Sequence, residues 1–170
     1  MPPKTSKPSK PRERAPASGM DLSTTRALPF RLLKLTNLVS RPFFGRIARD
    51  YEISLNDWRT IFVLASHPGI SAIDISEHTG LQPMNTSRSL AALRKLGYIT
   101  EVPDPRDLRR TLVSLTQEGI AASQEISTAA REDTRRLFAD VSAQDLEVFG
   151  RVVDQLIDKA QALLSEPPAR

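Results

Sequence analysis

The chain has 170 residues, 39% of them hydrophobic, a net charge of +4, a pI near 9.8 and no cysteine. That length suits one domain or a domain with an extension, and the missing thiols exclude disulfides, thiolate metal sites and thiol-based redox switching. No 18-residue apolar run reads as a membrane span, and the N-terminus lacks the apolar core of a signal peptide, so a cytoplasmic protein with no membrane partner is expected.

Residues 1–20 hold five of the thirteen prolines and five cations against the single anion Glu13, a surplus equal to the net charge of the whole chain. Such a stretch buries too little apolar surface to offset its ordering entropy, and a disordered basic tail is expected. Three readings of it stay open: a solvated extension, an arm that tracks phosphates, or residues preceding a true start at Met20. The remaining 150 residues balance to zero, so local placement of charge matters more than the bulk pI.

Residues 21–53 read as a helix from about residue 28. Leu28, Leu32, Leu35, Val39, Phe43 and Ile47 recur at spacings of three or four, with Pro42 expected to kink it. The apolar surface is broader than one stripe, which points to packing on two partners, one of them a second subunit. A short helix follows over 54–67, begun by the capping-box pair Ser54 and Asp57 and ended by His67-Pro68-Gly69. Its Trp58 reads first as a core residue.

Another capping box, Ser71 with Asp74, starts a helix that stops at Gly80. A second helix starts near Gln82, with Pro83 in its first turn, and ends at Gly97. Two helices joined by a glycine-containing corner match a helix-turn-helix. Leu90, Leu93 and Leu96 form the inner face of the second helix. The opposite face carries Met84, Asn85, Ser87, Arg88 and Lys95, short polar groups first and cations later, as a helix in a major groove requires. Tyr98–Val102 and Thr111–Leu115 read as strands joined by a charged loop over 103–110. Its Arg106, Arg109 and Arg110 suit the negative potential of a narrow minor groove, with Asp107 placed to pair with Arg109 or Arg110. Residues 81–110 carry six cations and three anions, a local excess where groove contact is inferred.

Over 116–170, Thr116 should cap a long helix reaching about Asp140, and Ser142 with Asp145 should cap the last one. Leu146, Phe149, Val153, Leu156, Ala160 and Leu163 are spaced 3, 4, 3, 4, 3, a seam suited to packing across an interface. His67 and His78 lie eleven apart without a cysteine, so no metal site is expected. No phosphate loop or nucleophile elbow is present, so neither a cofactor nor an enzyme is expected.

The run Leu81-Gln82-Pro83-Met84-Asn85-Thr86-Ser87-Arg88, then Gly97-Tyr98-Ile99, Asp104-Pro105-Arg106-Asp107-Leu108-Arg109 and Leu115-Thr116-Gln117-Glu118-Gly119 resembles the winged helix-turn-helix of the MarR family of bacterial transcriptional regulators. Upstream, Ile53-Ser54-Leu55-Asn56-Asp57-Trp58 resembles the start of the family's second helix. The resemblance spans about residues 28–165. It implies a mostly α fold with a small β-hairpin wing: a winged helix-turn-helix over 54–115, and a dimerisation lobe built from 21–53 and 116–170. It implies a homodimer that binds a pseudo-palindromic double-stranded DNA operator, most often as a repressor. Gln82, Met84, Asn85, Ser87, Arg88, Lys95, Arg106, Arg109 and Arg110 are the expected DNA contacts. Leu32, Leu35, Val39, Leu146, Phe149, Val153, Leu156 and Leu163 are the expected dimer contacts. It also implies a small aromatic effector, phenolic or carboxylate, bound near Phe43, Arg46, Trp58 and His67. Gln82 and Met84 depart from the Ser or Thr that usually begins the family's recognition helix, which bears on the operator sequence. The competing reading is a winged-helix module for protein interaction or a non-specific architectural role.

Overall fold

A computed structural model describes residues 22–165, and the side chains among them except those of residues 22–25 and 42–48. The basic tail and the side chains of Pro42, Phe43 and Arg46 lie outside the described residues, and the helix expected to kink at Pro42 is assigned without interruption through it. The element order is α1 (Leu22–Asp50), α2 (Leu55–Ser66), β1 (Ile70–Ser71), α3 (Ala72–Thr79), α4 (Pro83–Lys95), β2 (Ile99–Asp104), β3 (Asp107–Leu115), α5 (Gln117–Leu137) and α6 (Ala143–Ser165). This is the mostly helical chain with a small antiparallel sheet that the patterning predicts. The described chain divides between Pro42 and Phe43 into two compact units.

The described part of the first unit is the leading stretch of α1. Leu28, Phe30, Leu33, Leu35, Leu38 and Val39 are all exposed there, and Leu32 is half-buried. The Thr36 and Ser40 hydroxyls donate back to the Leu32 and Thr36 carbonyls, at 3.0 and 2.6 Å.

The second unit is organised round a core of Ile53, Ile61, Leu64, Ile75, Leu90, Leu93, Ile99, Val113 and Ile126. These come from the loop before α2 (Ile53), α2, α3, α4, the sheet and α5, so the helix-turn-helix is backed on its inner faces. Both capping boxes form. The Ser54 N–H donates to Asp57 Oδ2 at 2.7 Å, and the Ser71 N–H donates to Asp74 Oδ2 at 2.9 Å. Each satisfies helix-end donors that would otherwise be orphaned. Gly80 closes α3 at φ 68°, the left-handed region where a side chain is strained.

The sheet has the order β1-β3-β2, antiparallel throughout. Its first strand, Ile70–Ser71, was not expected, because two residues carry no periodicity. The wing also differs from the expected eight-residue loop. β2 and β3 continue to the Asp104↔Asp107 pair, leaving Pro105-Arg106 as the turn, with an irregularity between Pro103 and Asp104. Two aspartates make this tight turn. Asp104 Oδ1 accepts the Arg106 N–H at 2.9 Å, and Asp107 Oδ1 accepts the Arg109 N–H at 3.0 Å. Such side-chain-to-backbone bonds replace ladder bonds at a turn. Pro103 is tolerated inside β2 because β2 is an edge strand. Asp107 therefore stiffens the tip through the Arg109 backbone.

Thr116 caps α5 by accepting the Gly119 N–H at 3.1 Å, while its hydroxyl donates to the Gly97 carbonyl at 2.7 Å. α5 ends at Leu137, three residues short of the expected stop. Ser142 and Asp145 form the expected cap of α6, the Asp145 N–H donating to Ser142 Oγ at 3.1 Å. No residue of α6 is buried. Leu146 and Val153 of the heptad seam are half-buried, and Phe149, Leu156 and Leu163 are exposed.

Candidate nucleic-acid interface

α4 is held by its small polar residues as well as its leucines. Thr86, Ser89, Leu90 and Leu93 are its buried residues, and Ser76 of α3 donates a hydrogen bond to Thr86 Oγ1 at 2.8 Å. Small side chains at 86 and 89 let α4 lie close on its neighbours. That leaves Met84, Ser87, Arg88, Ala91 and Lys95 as a continuous exposed stripe, at the spacing of one helix face. Gln82 is exposed at the N-cap and makes no side-chain capping bond. Asn85 is half-buried and lines a shallow cleft with Ser54, Asn56, Asp57 and Arg88.

The six cations of the interface divide into two kinds. Arg94 is engaged by Glu101 of β2 through two bonds, Nε to Oε2 at 3.0 Å and Nη2 to Oε1 at 2.6 Å. That pairing pushes its pKa further up. Arg110 is turned inward onto the α3 cap, its Nη2 lying 2.9 Å from Ser71 Oγ and 3.2 Å from Asp74 Oδ2. The Ser71 hydroxyl and N–H, with smaller help from Arg110 and His78, hold the Asp74 carboxyl below its ordinary value. By contrast Arg88, Lys95, Arg106 and Arg109 are exposed and have no side-chain partner among the described residues. They are the cations left for phosphates or base edges.

A second feature lies between α2 and α5. A cleft of about 520 Å³ is lined by Trp58, Phe62, Ser127, Arg131, Thr134 and Arg135, among others. The Trp58 and Phe62 rings lie 5.7 Å apart at 37°. Arg135 is braced by Glu132 through two bonds of 2.9 Å each. Of the four effector residues expected from sequence, the cleft includes Trp58. His67 lies elsewhere and stacks on His78, ring centroids 4.4 Å apart. Phe62, Arg131 and Arg135 were missed. The available signal was the i, i+4, i+7 spacing of Ser127, Arg131 and Thr134, which puts them on one face of α5. Among the described residues no group of three or more His, Asp or Glu could hold a metal ion, and no helix is long and apolar enough to cross a membrane.

A helix-turn-helix packed on a three-stranded sheet, with an arginine-tipped hairpin following the second helix, defines a winged helix-turn-helix protein. Comparison with known proteins agrees. Residues 51–110 match the model of the MarR family. The chain is 21% identical over 115 residues to the homoprotocatechuate degradative operon repressor of Escherichia coli, covering 68% of this chain and 78% of that one. It is similar in fold to NadR, solved with 4-hydroxyphenylacetate, at TM-score 0.68 and 17% identity, over 86% of this chain and 97% of that one. It is also similar to PcaV of Streptomyces coelicolor, solved with its natural ligand, at TM-score 0.64 and 22% identity, over 85% and 99%. The match to the MarR family model covers the helix-turn-helix and most of the wing, and the likeness to the solved structures extends the shared fold to the helices on either side.

Proposed function

We propose that the protein is a homodimeric repressor that reads a pseudo-palindromic operator and is released by a small aromatic acid or phenol. The observation that carries the DNA reading is the division of cations: two arginines are spent on internal pairs, whereas Arg88 and Lys95 on α4 and Arg106 and Arg109 on the wing stay free of partners among the described residues. α4 would lie in the major groove, with Met84, Ser87 and Arg88 at base edges and Gln82, Asn85 and Lys95 at the margins. Arg109, with Arg106, would enter the flanking minor groove. The exposed apolar residues of α1 and α6 favour a partner subunit, since monomers rarely leave such surfaces open.

The Trp58–Phe62 cleft supports the ligand reading. It offers aromatic faces for a ring, and Arg131 for a carboxylate. A relative named as a repressor of an aromatic-degradation operon and a fold neighbour solved with 4-hydroxyphenylacetate point the same way. Such a ligand would act by favouring a subunit arrangement that does not fit successive grooves.

The test is a titration of the purified protein against the promoter of its own gene and a scrambled duplex of equal length, at two salt concentrations. Preference for the promoter, with two chains per duplex, supports the regulator. The same assay then screens hydroxybenzoates and hydroxyphenylacetates for release. Equal, weak binding to both duplexes would leave charge attraction alone and bring the protein-assembly reading forward.

A further inference from the structure

The wing projects beyond its support. β3 pairs with β1 at Ile70↔Val113 and Ser71↔Leu112 and no further toward the tip. From Thr111 outward the hairpin has only its own β2–β3 ladder, and residues 105–111 are exposed. A two-stranded ribbon of that kind is marginal alone and free to twist. Arg110 is the second residue of this overhang, next to Thr111. Its Nη2 reaches back to Ser71 Oγ and Asp74 Oδ2 at the N-cap of α3. Leu108, Arg109 and Arg110 fall in the irregularity between the Pro103↔Thr111 and Asp104↔Asp107 pairs, so no ladder pair fixes this stretch and the Arg110 contact is what ties it to α3.

Resting on the regulator reading, we propose that the Arg110–Asp74 pair is a positioning device for DNA binding: it fixes the angle of the wing to the helix-turn-helix, and Arg109 meets its groove because Arg110 is anchored. Asp74 serves both ends of the tie. Its Oδ2 accepts the Ser71 N–H at 2.9 Å and the Ser71 hydroxyl at 2.7 Å as well as Arg110. A rigid helix cap is thereby the post to which the wing is fastened. The pair is half-exposed, at 44% and 36%, and such pairs add little to global stability. Its consequence is local: it removes a rocking freedom that would otherwise be lost when the wing docks, and preorganisation of that kind appears in affinity.

The inference makes a prediction of unusual sign. Removing an acidic side chain from a DNA-facing domain should tighten binding through charge alone. The clamp requires the reverse. A duplex enriched by the wild-type protein from a randomised library serves as probe, with a scrambled duplex as control. Asp74→Asn keeps a cap acceptor and should weaken binding to the enriched duplex by about fivefold, leaving the salt slope unchanged. Arg110→Ala should weaken it comparably, and the double variant should be no weaker than Arg110→Ala. Because the chain has no cysteine, Leu108→Cys takes a single nitroxide at the wing tip. Its spectrum should sharpen in both variants, with or without DNA. Binding by Asp74→Asn as tight as wild type or tighter, additive losses, or an unchanged spectrum would overturn the clamp. A library from which nothing is enriched would overturn the regulator reading instead, and the spectral arm would still decide the clamp.

Discussion

Gly119 shows what one hydrogen atom decides. It is buried in the first turn of α5, and a Cβ built there would overlap the Tyr98 carbonyl oxygen. That carbonyl already accepts the Thr116 N–H at 3.0 Å, so the backbone cannot move aside without releasing the α5 cap. Gly119→Ala should cost about 2 kcal/mol, the scale of overpacking against a fixed neighbour. Thermal unfolding would show it, and an unchanged midpoint would mean that the start of α5 is looser than described. At Met84 the consequence is for recognition. A methionine 64% exposed at the start of α4 has no polar atom suited to a purine edge, but it can pack on the thymine methyl group. Replacing a contacted thymine by deoxyuridine removes only that methyl. Wild-type binding should fall by a few-fold at one position of each half-site, whereas Met84→Ala should be insensitive to the swap. Equal losses in both proteins would place Met84 off the base edges.

At the scale of elements, α3 links charge to stability. Asp74 is held below its ordinary pKa, chiefly by its hydrogen bonds from Ser71. A carboxylate depressed on folding contributes stability that is present above its unfolded value and lost as pH falls through the folded one. The chain should therefore lose stability below pH 3.8 more steeply than Asp74→Asn, which has no proton to gain there. Denaturant midpoints between about pH 5 and 2.5 would compare the two, and parallel curves would refute the assignment. The wing supplies a second comparison. Arg109 has no side-chain partner among the described residues, so Arg109→Ala should weaken operator binding without lowering the unfolding midpoint.

The same elements show what a sequence discloses. Capping boxes at Ser54 and Ser71, Gly80 at a helix end and the leucine face of α4 are local signals, and each was legible. β1 was not, because two residues have no pattern and their pairing with Leu112 and Val113 is a tertiary event. The inward turn of Arg110 was equally hidden, since residues 74 and 110 meet only after the sheet forms. In the cleft, Trp58 was legible as an aromatic, but its arginine neighbours belong to α5, some seventy residues away.

The whole molecule raises the question of what covers its apolar surface. Among the described residues, α6 buries nothing, and Phe149, Val152, Leu156 and Leu163 stand exposed on it. Leu28, Leu35 and Val39 do the same on α1. If these surfaces close against a second copy, sedimentation of the wild type should give twice 18.9 kDa, and Leu156→Asp, by placing a charge in the seam, should give the monomer. DNA binding then separates lost assembly from lost fold. A dimer neutralises phosphates at two half-sites, a monomer at one, and the slope of log affinity against log salt counts those phosphates. A folded Leu156→Asp monomer should therefore bind an isolated half-site with about half the wild-type slope, because its α4 and wing are intact. A full slope from the monomer would place the second set of contacts within one chain. A stable Leu156→Asp dimer would take the seam out of the interface and leave α1 as the surface to test next.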